Sequence, residues 1–374
     1  MNPHDVYLVP GFFGFANLGE FKYFGHVRAF LKEQFAARGQ RARITVVRTH
    51  PTASLPRRAV RLLETMAAAP RRRGRVVHLI GHSSGGLDVR LVTTPGVRLP
   101  TALDVKQLTD PVRSVITVVT PNHGTPLASL FNSLLGQKLL HVLSVTTIYV
   151  LRTGHLPLSV LLRLGAIFTQ LDDLALNSAV LDQVFGEVLA DFSPGRRRAV
   201  SKLFGEVAQD QSLLAQLTPE ALDMFNALTH DRPEVRYGCV VAQARRPGIG
   251  STMAAGLDPT AQATHAMYAT LHRLAGDIPR GRLPALTRPQ ACALRSAYGR
   301  VPDARANDGL VPTRTQVWGN VVHAARGDHL DVIGHFGAPK HHPPHYDWLA
   351  TGTGFDTAQF TALWSAVLSY MLAR

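Results

Sequence analysis

The run VVHLIGHSSGGLDVRLV centres Ser83 in Gly81-His82-Ser83-Ser84-Gly85, a G-x-S-x-G pattern. A serine hydroxyl is a poor nucleophile until a neighbouring base takes its proton, so its surroundings decide what it can do. Residues 76–80 read as a buried strand before it, and residues 87–91 as helical sequence after it. Strand, sharp turn and helix are the setting of a nucleophile elbow. Side chains in place of the flanking glycines would collide with the strand and the helix. The turn leaves the serine strained and exposed near a helix N-terminus, whose dipole favours developing negative charge. A glycine-rich loop with no chemistry is the plainer alternative. Ser84 competes but lies off the central position.

Such a serine needs a base, and the base needs an acid to orient it. Asn307-Asp308-Gly309-Leu310-Val311-Pro312 is a turn-like stretch that carries an acid. Gly327-Asp328-His329-Leu330-Asp331 follows an expected strand at 316–322. Asp308 would orient His329, and His329 would take the Ser83 proton. The chain has 17 histidines, so the choice is not automatic. His323 lies in or at the end of that strand, while His335, His341, His342 and His345 fall in the loop HFGAPKHHPPHYDW, which fits no tight zinc spacing. An oxyanion also needs backbone N–H donors. Val9-Pro10-Gly11-Phe12-Phe13-Gly14 follows the first strand and is placed to supply one. The expected donors are the amides of Phe12 and Ser84; an ordinary Pro-Gly turn is the alternative.

These residues require a scaffold, and its elements are visible. Near-continuous apolar runs of strand length occur at 6–9, 44–47, 76–80, 115–120, 235–242 and 316–322. Residues 23–37 and 55–69 repeat apolar positions at helical spacing, the second with arginines on its outer face. Alternating strands and helices imply an α/β fold with a parallel sheet. The rhythm stops after Pro126. From there to about Asp231 no convincing strand appears, only apolar and mixed helical sequence. Residues 139–151 and 156–162 are very hydrophobic, but Arg152 and Arg163 keep each stretch below the ~18–20 apolar residues a membrane span needs. A buried helix pair and an apolar lid are both open readings. The organisation is therefore a core of 1–126 and 232–374, interrupted by a helical insertion at 127–231. An amphipathic helix at 356–372, with Asp356 or Thr357 as its cap, closes the chain.

Composition narrows the class further. Of 374 residues 45% are hydrophobic and 18% charged, enough for a large core and unlike a disordered chain. The formal charge is +14, and all but six of the 40 cations are arginines. The densest clusters, Arg71-Arg72-Arg73 and Arg196-Arg197-Arg198, are short and far apart. A solvated basic surface or an anionic membrane surface accounts for them better than nucleic acid, which is not expected as a partner. Two cysteines, Cys239 and Cys292, exclude a disulfide-rich scaffold. No secretory signal is visible in MNPHDVYLVPGFFGF, which makes a cytoplasmic location the expectation.

With these pieces together, the chain resembles the bacterial true lipases of the α/β-hydrolase superfamily. LVPGFFGF resembles their oxyanion loop, with Pro10-Gly11 where the family has His-Gly, and GHSSGGLDVRLV is similar to their elbow. HPTASLPRRAVRL looks like the second strand and following helix, and TVVTPNHGTPLA like the turn leading into the lid. LTPEALDMFNAL with VRYGCVVA resembles the return from lid to sheet, and NDGLVP and DHLD the acid and histidine motifs. The resemblance implies an α/β-hydrolase fold and a lipase or long-chain esterase that works through an acyl-enzyme. It assigns Ser83 as nucleophile, Asp308 as acid, His329 as base, and Phe12 and Ser84 as oxyanion donors. No cofactor is required, but a structural calcium is implied near the histidine loop. Asp331 matches one of its ligands, and within 280–304 only Asp303 is near as a second. The same triad could serve acyl transfer, and a hydrolase scaffold could instead be a non-catalytic protein binding an anionic surface.

Overall fold

A computed structural model of the chain describes residues 2–12, 23–70, 72–153, 155–157, 160–161, 178–190, 193–195, 197–198, 201, 210 and 212–373. Within them six strands form one sheet: β1 (His4–Val9), β2 (Ala42–Val46), β3 (Val76–His82), β4 (Val112–Val118), β5 (Arg236–Ala242) and β6 (Asn320–Ala325). Their order is β2-β1-β3-β4-β5-β6, and every adjacent pair is parallel. β1 and β3 are mostly apolar and buried, because strands covered on both faces cannot alternate polar and apolar residues. Val6 and Leu8 of β1 enter one core, while Tyr7 and Val9 enter the other, as the two-residue period of a strand demands.

Helices fill both faces. In chain order they are α1 (Gly25–Ala37), α2 (Leu55–Ala68), α3 (Gly85–Thr93), α4 (Val105–Thr109), α5 (Pro126–Phe131), α6 (Leu134–Thr153) and α7 (Ser178–Ala190). Then follow α8 (Ser212–Gln216), α9 (Pro219–Leu228), α10 (Ile249–Ala254), α11 (Pro259–Ala275), α12 (Arg288–Tyr298) and α13 (Thr357–Leu372). α1 and α13 cover one face with Val27, Leu31, Phe35, Leu363 and Trp364. α2 and α3 cover the other with Leu62, Leu63, Met66, Val89 and Val92. Asp356 caps α13: its Oδ1 accepts from the Gln359 N–H at 2.8 Å.

Among the described residues of 127–231 there is no strand. α6 packs along α7, burying Leu139, Leu140, Leu143, Leu181, Val184 and Val188. No described helix is long and apolar enough to cross a membrane. Residues 158, 159 and 162 of the expected 156–162 segment lie outside the described residues, as do Phe13, Gly14, Arg71 and Arg196.

Two expectations need correction. The last strand is not at 316–322 but at Asn320–Ala325, and Thr313–Gln316 form a 3-10 turn. Gln316 is buried, and its side chain is committed elsewhere. Its Oε1 accepts from Ala242 N–H at 2.7 Å, and its Nε2 donates to Asp308 Oδ2 at 3.2 Å. The arginines of α2 are also not all on its outer face: Arg58 is buried, between exposed Arg57 and buried Ala59. Both cysteines are free, and burial pushes the Cys239 thiol up to about 12.

Candidate active site

Everything of chemical interest gathers at the carboxyl ends of the strands, where ligands bind in open parallel sheets. Between β3 and α3 the chain turns through two residues, Ser83 and Ser84. Ser83 takes φ 55°, in the left-handed region, while its N–H donates to Val118 O at 2.8 Å. The flanking glycines are steric necessities. A Cβ on Gly81 would lie 2.2 Å from Gly85 O, and one on Gly85 would lie 2.3 Å from Val9 O.

The loop after β1 crosses directly over this serine. A Cβ on Gly11 would come within 2.4 Å of Ser83 Cβ and 2.9 Å of Ser83 Oγ. Phe12 and Ser84, the expected oxyanion donors, directly follow Gly11 and Ser83 in these two converging segments, and both are buried. A residue that the sequence reading put on the surface holds the segments together. Arg58 Nη2 donates to Pro10 O at 2.7 Å and to Asp88 Oδ2 at 2.7 Å, and its Nε donates to Asp88 Oδ2 at 3.0 Å. Its Nη1 also reaches His50 O at 2.9 Å. The pair has no solvent exposure on either side chain. Arg58→Ala would strand the Asp88 carboxylate in the core, and we expect a stability loss of about 3–5 kcal/mol in denaturant titration. A change of less than about 1 kcal/mol would show that the pair is dispensable.

Asp308 and His329 meet as expected. His329 Nδ1 donates to Asp308 Oδ2 at 2.7 Å, and the His329 N–H donates to Asp308 O at 3.0 Å. Asp308 Oδ1 accepts from the N–H groups of Leu310 at 2.9 Å and Val311 at 2.7 Å. Both side chains are buried, so the carboxylate keeps its orientation without help from water.

The sequence reading missed what joins this pair to the elbow. His82, the residue before Ser83, donates from Nε2 to His329 O at 2.8 Å, and the two rings stand 4.9 Å apart. Its Nδ1 accepts from the Tyr23 hydroxyl at 2.6 Å, and that hydroxyl in turn accepts from the Gly11 N–H. Burial, followed by the neighbouring His329, holds the His82 imidazole well below its ordinary value, so it stays neutral in this tautomer. Burial also pushes the Tyr23 phenol upward, which keeps its donor. One buried chain thus ties the oxyanion loop, the elbow and the histidine loop. Tyr23→Phe removes its middle link, and we expect about 1–3 kcal/mol of destabilisation together with a lower kcat. An unchanged thermal midpoint would refute the link. The x position of G-x-S-x-G carries no pattern that announces this role.

Two histidines of the HFGAPKHHPPHYDW loop bind backbone carbonyls. His335 Nε2 donates to Tyr23 O at 3.0 Å, and His345 Nδ1 donates to Gly334 O at 2.6 Å. His323 is half-buried on β6. Among the described residues the group suited to a metal is acidic: Asp328, Asp331 and Asp347, with carboxylate oxygens within 4.8 Å of one another. Asp331 is thus part of a carboxylate set, but its partners are not in 280–304. Asp303 instead accepts from the N–H groups of Arg305 and Ala306, both at 3.0 Å, and closes its own turn. Asp328 was read only as part of the histidine motif, and Asp347 lies 16 residues beyond Asp331 in sequence.

No family model matches the chain, and no curated protein matches it. Solved structures do. A Staphylococcus hyicus lipase superimposes with a TM-score of 0.54 at 16% identity, covering 99% of this chain and 97% of that one. The fold is that of the α/β-hydrolases. Lipase 1 from Pelosinus fermentans gives 0.52 at 17% identity, covering 100% of this chain and 99% of the other. A metagenomic carboxyl esterase gives 0.51 at 18% identity, with 99% and 76% covered. In an α/β-hydrolase the elbow after a central strand presents its serine at the carboxyl edge, where Ser83 stands here.

Proposed function

We propose that the chain is a serine carboxylic-ester hydrolase, a lipase or long-chain esterase, with Ser83, His329 and Asp308 as its triad. The observation that carries this reading is the 2.7 Å His329–Asp308 pair, bound through His82 to the elbow that strains Ser83. With Nδ1–H held by Asp308, the other ring nitrogen of His329 is the base. Ser83 Oγ loses its proton to that nitrogen and bonds to the ester carbonyl carbon, and the carbonyl π electrons move onto oxygen. The Phe12 and Ser84 amides would hold this oxyanion. As the tetrahedral species collapses, the C–O bond to the alcohol breaks and the leaving oxygen takes the proton from His329. Water then repeats the sequence on the acyl-enzyme and releases the acid. Apolar helices α5 to α7, buried beside the sheet, favour a substrate with an apolar acyl chain, and the 127–231 insertion is the part we assign as its cover.

A fluorophosphonate probe tests the reading. It should label Ser83 alone, and a series of nitrophenyl esters should then show preference for longer acyl chains. Absence of labelling at Ser83 would overturn the assignment.

The acidic group supports a structural calcium. Asp328 and Asp331 are buried and Asp347 half-buried, with no lysine or arginine paired to them among the described residues; burial first, then the neighbouring carboxylates, raises the proton affinity of Asp331 and Asp347. Hard oxygen donors of this kind suit calcium, which neutralises them without protons. Bound there it would fix the loop of His329. At calcium a hundredfold above its Kd the added stability is about 2.7 kcal/mol. We therefore expect the thermal midpoint to rise by several degrees over a chelated sample, and Asp331→Asn to remove the rise. Equal midpoints with calcium and with chelator would exclude the site.

A further inference from the structure

α10 is built inside out. Its inward residue is polar: Ser251 is 1% exposed, and its Oγ contacts His265 Nε2 at 3.3 Å. The His265 Nδ1 donates in turn to Ala350 O at 2.7 Å. Beside exposed Thr252, its large outward side chains are apolar. Ile249 is 83% exposed and Met253 76%, one helical turn apart, and Leu257, in the turn beyond the end of α10, is 98% exposed. Isolated exposed apolar residues are ordinary, but a row of three large ones within nine residues marks a contact surface.

Its place in the fold points the row toward the substrate side. The segment leaves the carboxyl end of β5, and Ala244 N–H donates to Asn307 O at 2.9 Å, next to Asp308. The Tyr268 hydroxyl donates to Arg245 O and fixes the segment's root. Charge identifies the occupant. Arg245 and Arg246 are exposed at that root. Between 243 and 266 the one carboxylate is Asp258, which caps α11 by accepting from the Thr260 and Ala261 N–H groups.

We propose that Ile249, Met253 and Leu257 insert into a phospholipid bilayer with anionic headgroups, while Arg245 and Arg246 engage its phosphates. This rests on the lipid-ester reading of the site and gives it a surface from which substrate is drawn. Binding of such an element scales with apolar area inserted plus attraction to anionic lipid.

The experiment is co-sedimentation of the full chain with vesicles of phosphatidylcholine, with and without phosphatidylglycerol. Turnover of soluble nitrophenyl butyrate and the thermal midpoint are measured alongside. The wild type should bind the phosphatidylglycerol vesicles. The triple variant Ile249→Ser, Met253→Ser, Leu257→Ser should lose about tenfold or more in binding. Arg245→Gln with Arg246→Gln should lose about fivefold per arginine, and only on the anionic vesicles. Nitrophenyl butyrate turnover and midpoint should be unchanged in both. Vesicle binding by the triple variant equal to wild type overturns the proposal. So does a wild type that ignores vesicles but forms a dimer that the triple variant dissolves, since the row would then join two copies. If no form turns over nitrophenyl butyrate while the triple variant still loses the vesicles, the ester reading fails and the docking surface stands.

Discussion

Ser83→Ala is expected to lower turnover of a nitrophenyl ester by about 10⁵-fold or more, with the thermal midpoint nearly unchanged. The first expectation follows from the proposed chemistry: Ser83 Oγ forms the acyl-enzyme, and Ser84, the other hydroxyl of the elbow, is fully buried. The second follows from geometry. Ser83 already bears the left-handed φ of 55°, and alanine meets the same backbone cost there. The change removes one oxygen and adds nothing under Gly11, whose backbone leaves no room for a larger side chain. Turnover within about tenfold of wild type would end the triad assignment.

Asp308→Asn should lower kcat by about 10⁴-fold, for a different reason. The asparagine Oδ1 can still accept from Leu310 and Val311, so the turn persists. Its amide nitrogen would replace Oδ2 opposite two donors, His329 Nδ1 at 2.7 Å and Gln316 Nε2 at 3.2 Å. His329 must then give up the proton on Nδ1 and carry it on the other nitrogen, the one that should receive the Ser83 proton. The imidazole would be present, placed and in the wrong tautomer. Steady-state kinetics with circular dichroism separate this from unfolding. A folded variant with kcat within about tenfold of wild type would mean that Asp308 does not orient the base.

The readable parts of this protein were those encoded by local pattern. The apolar runs located five strands closely, because a strand covered on both faces leaves no freedom for polar residues. The elbow was legible for a steric reason: glycine at 81 and 85 is what allows β3, α3 and β1 to approach as they do. The order of Ser83, Asp308 and His329 followed from turn sequences placed after strands, and Asp308 and His329 do meet. Where side chains compete with the backbone the pattern failed. Gln316 looked like the start of a strand because its neighbours are apolar, yet its amide bridges Ala242 and Asp308 and delays β6 to Asn320.

Contacts between residues distant in the chain were invisible for a more general reason. Helical periodicity ranks Arg58 with Arg57 and Arg61, and nothing local tells that one guanidinium finds Asp88 and Pro10 in the core while the others meet solvent. Tyr23, His82 and His329 are separated by 59 and 247 residues. Asp347 joins Asp328 and Asp331 only because the loop after β6 folds back on itself. The +14 charge is a property of composition, and its use depends on which arginines stand beside an exposed apolar row. A one-dimensional pattern constrains the steric and hydrophobic demands of each segment, so it reaches the scaffold and the serine elbow. Burial of charge, the tautomer of a histidine and the meeting of three carboxylates depend on distances through space, which are set when the segments pack.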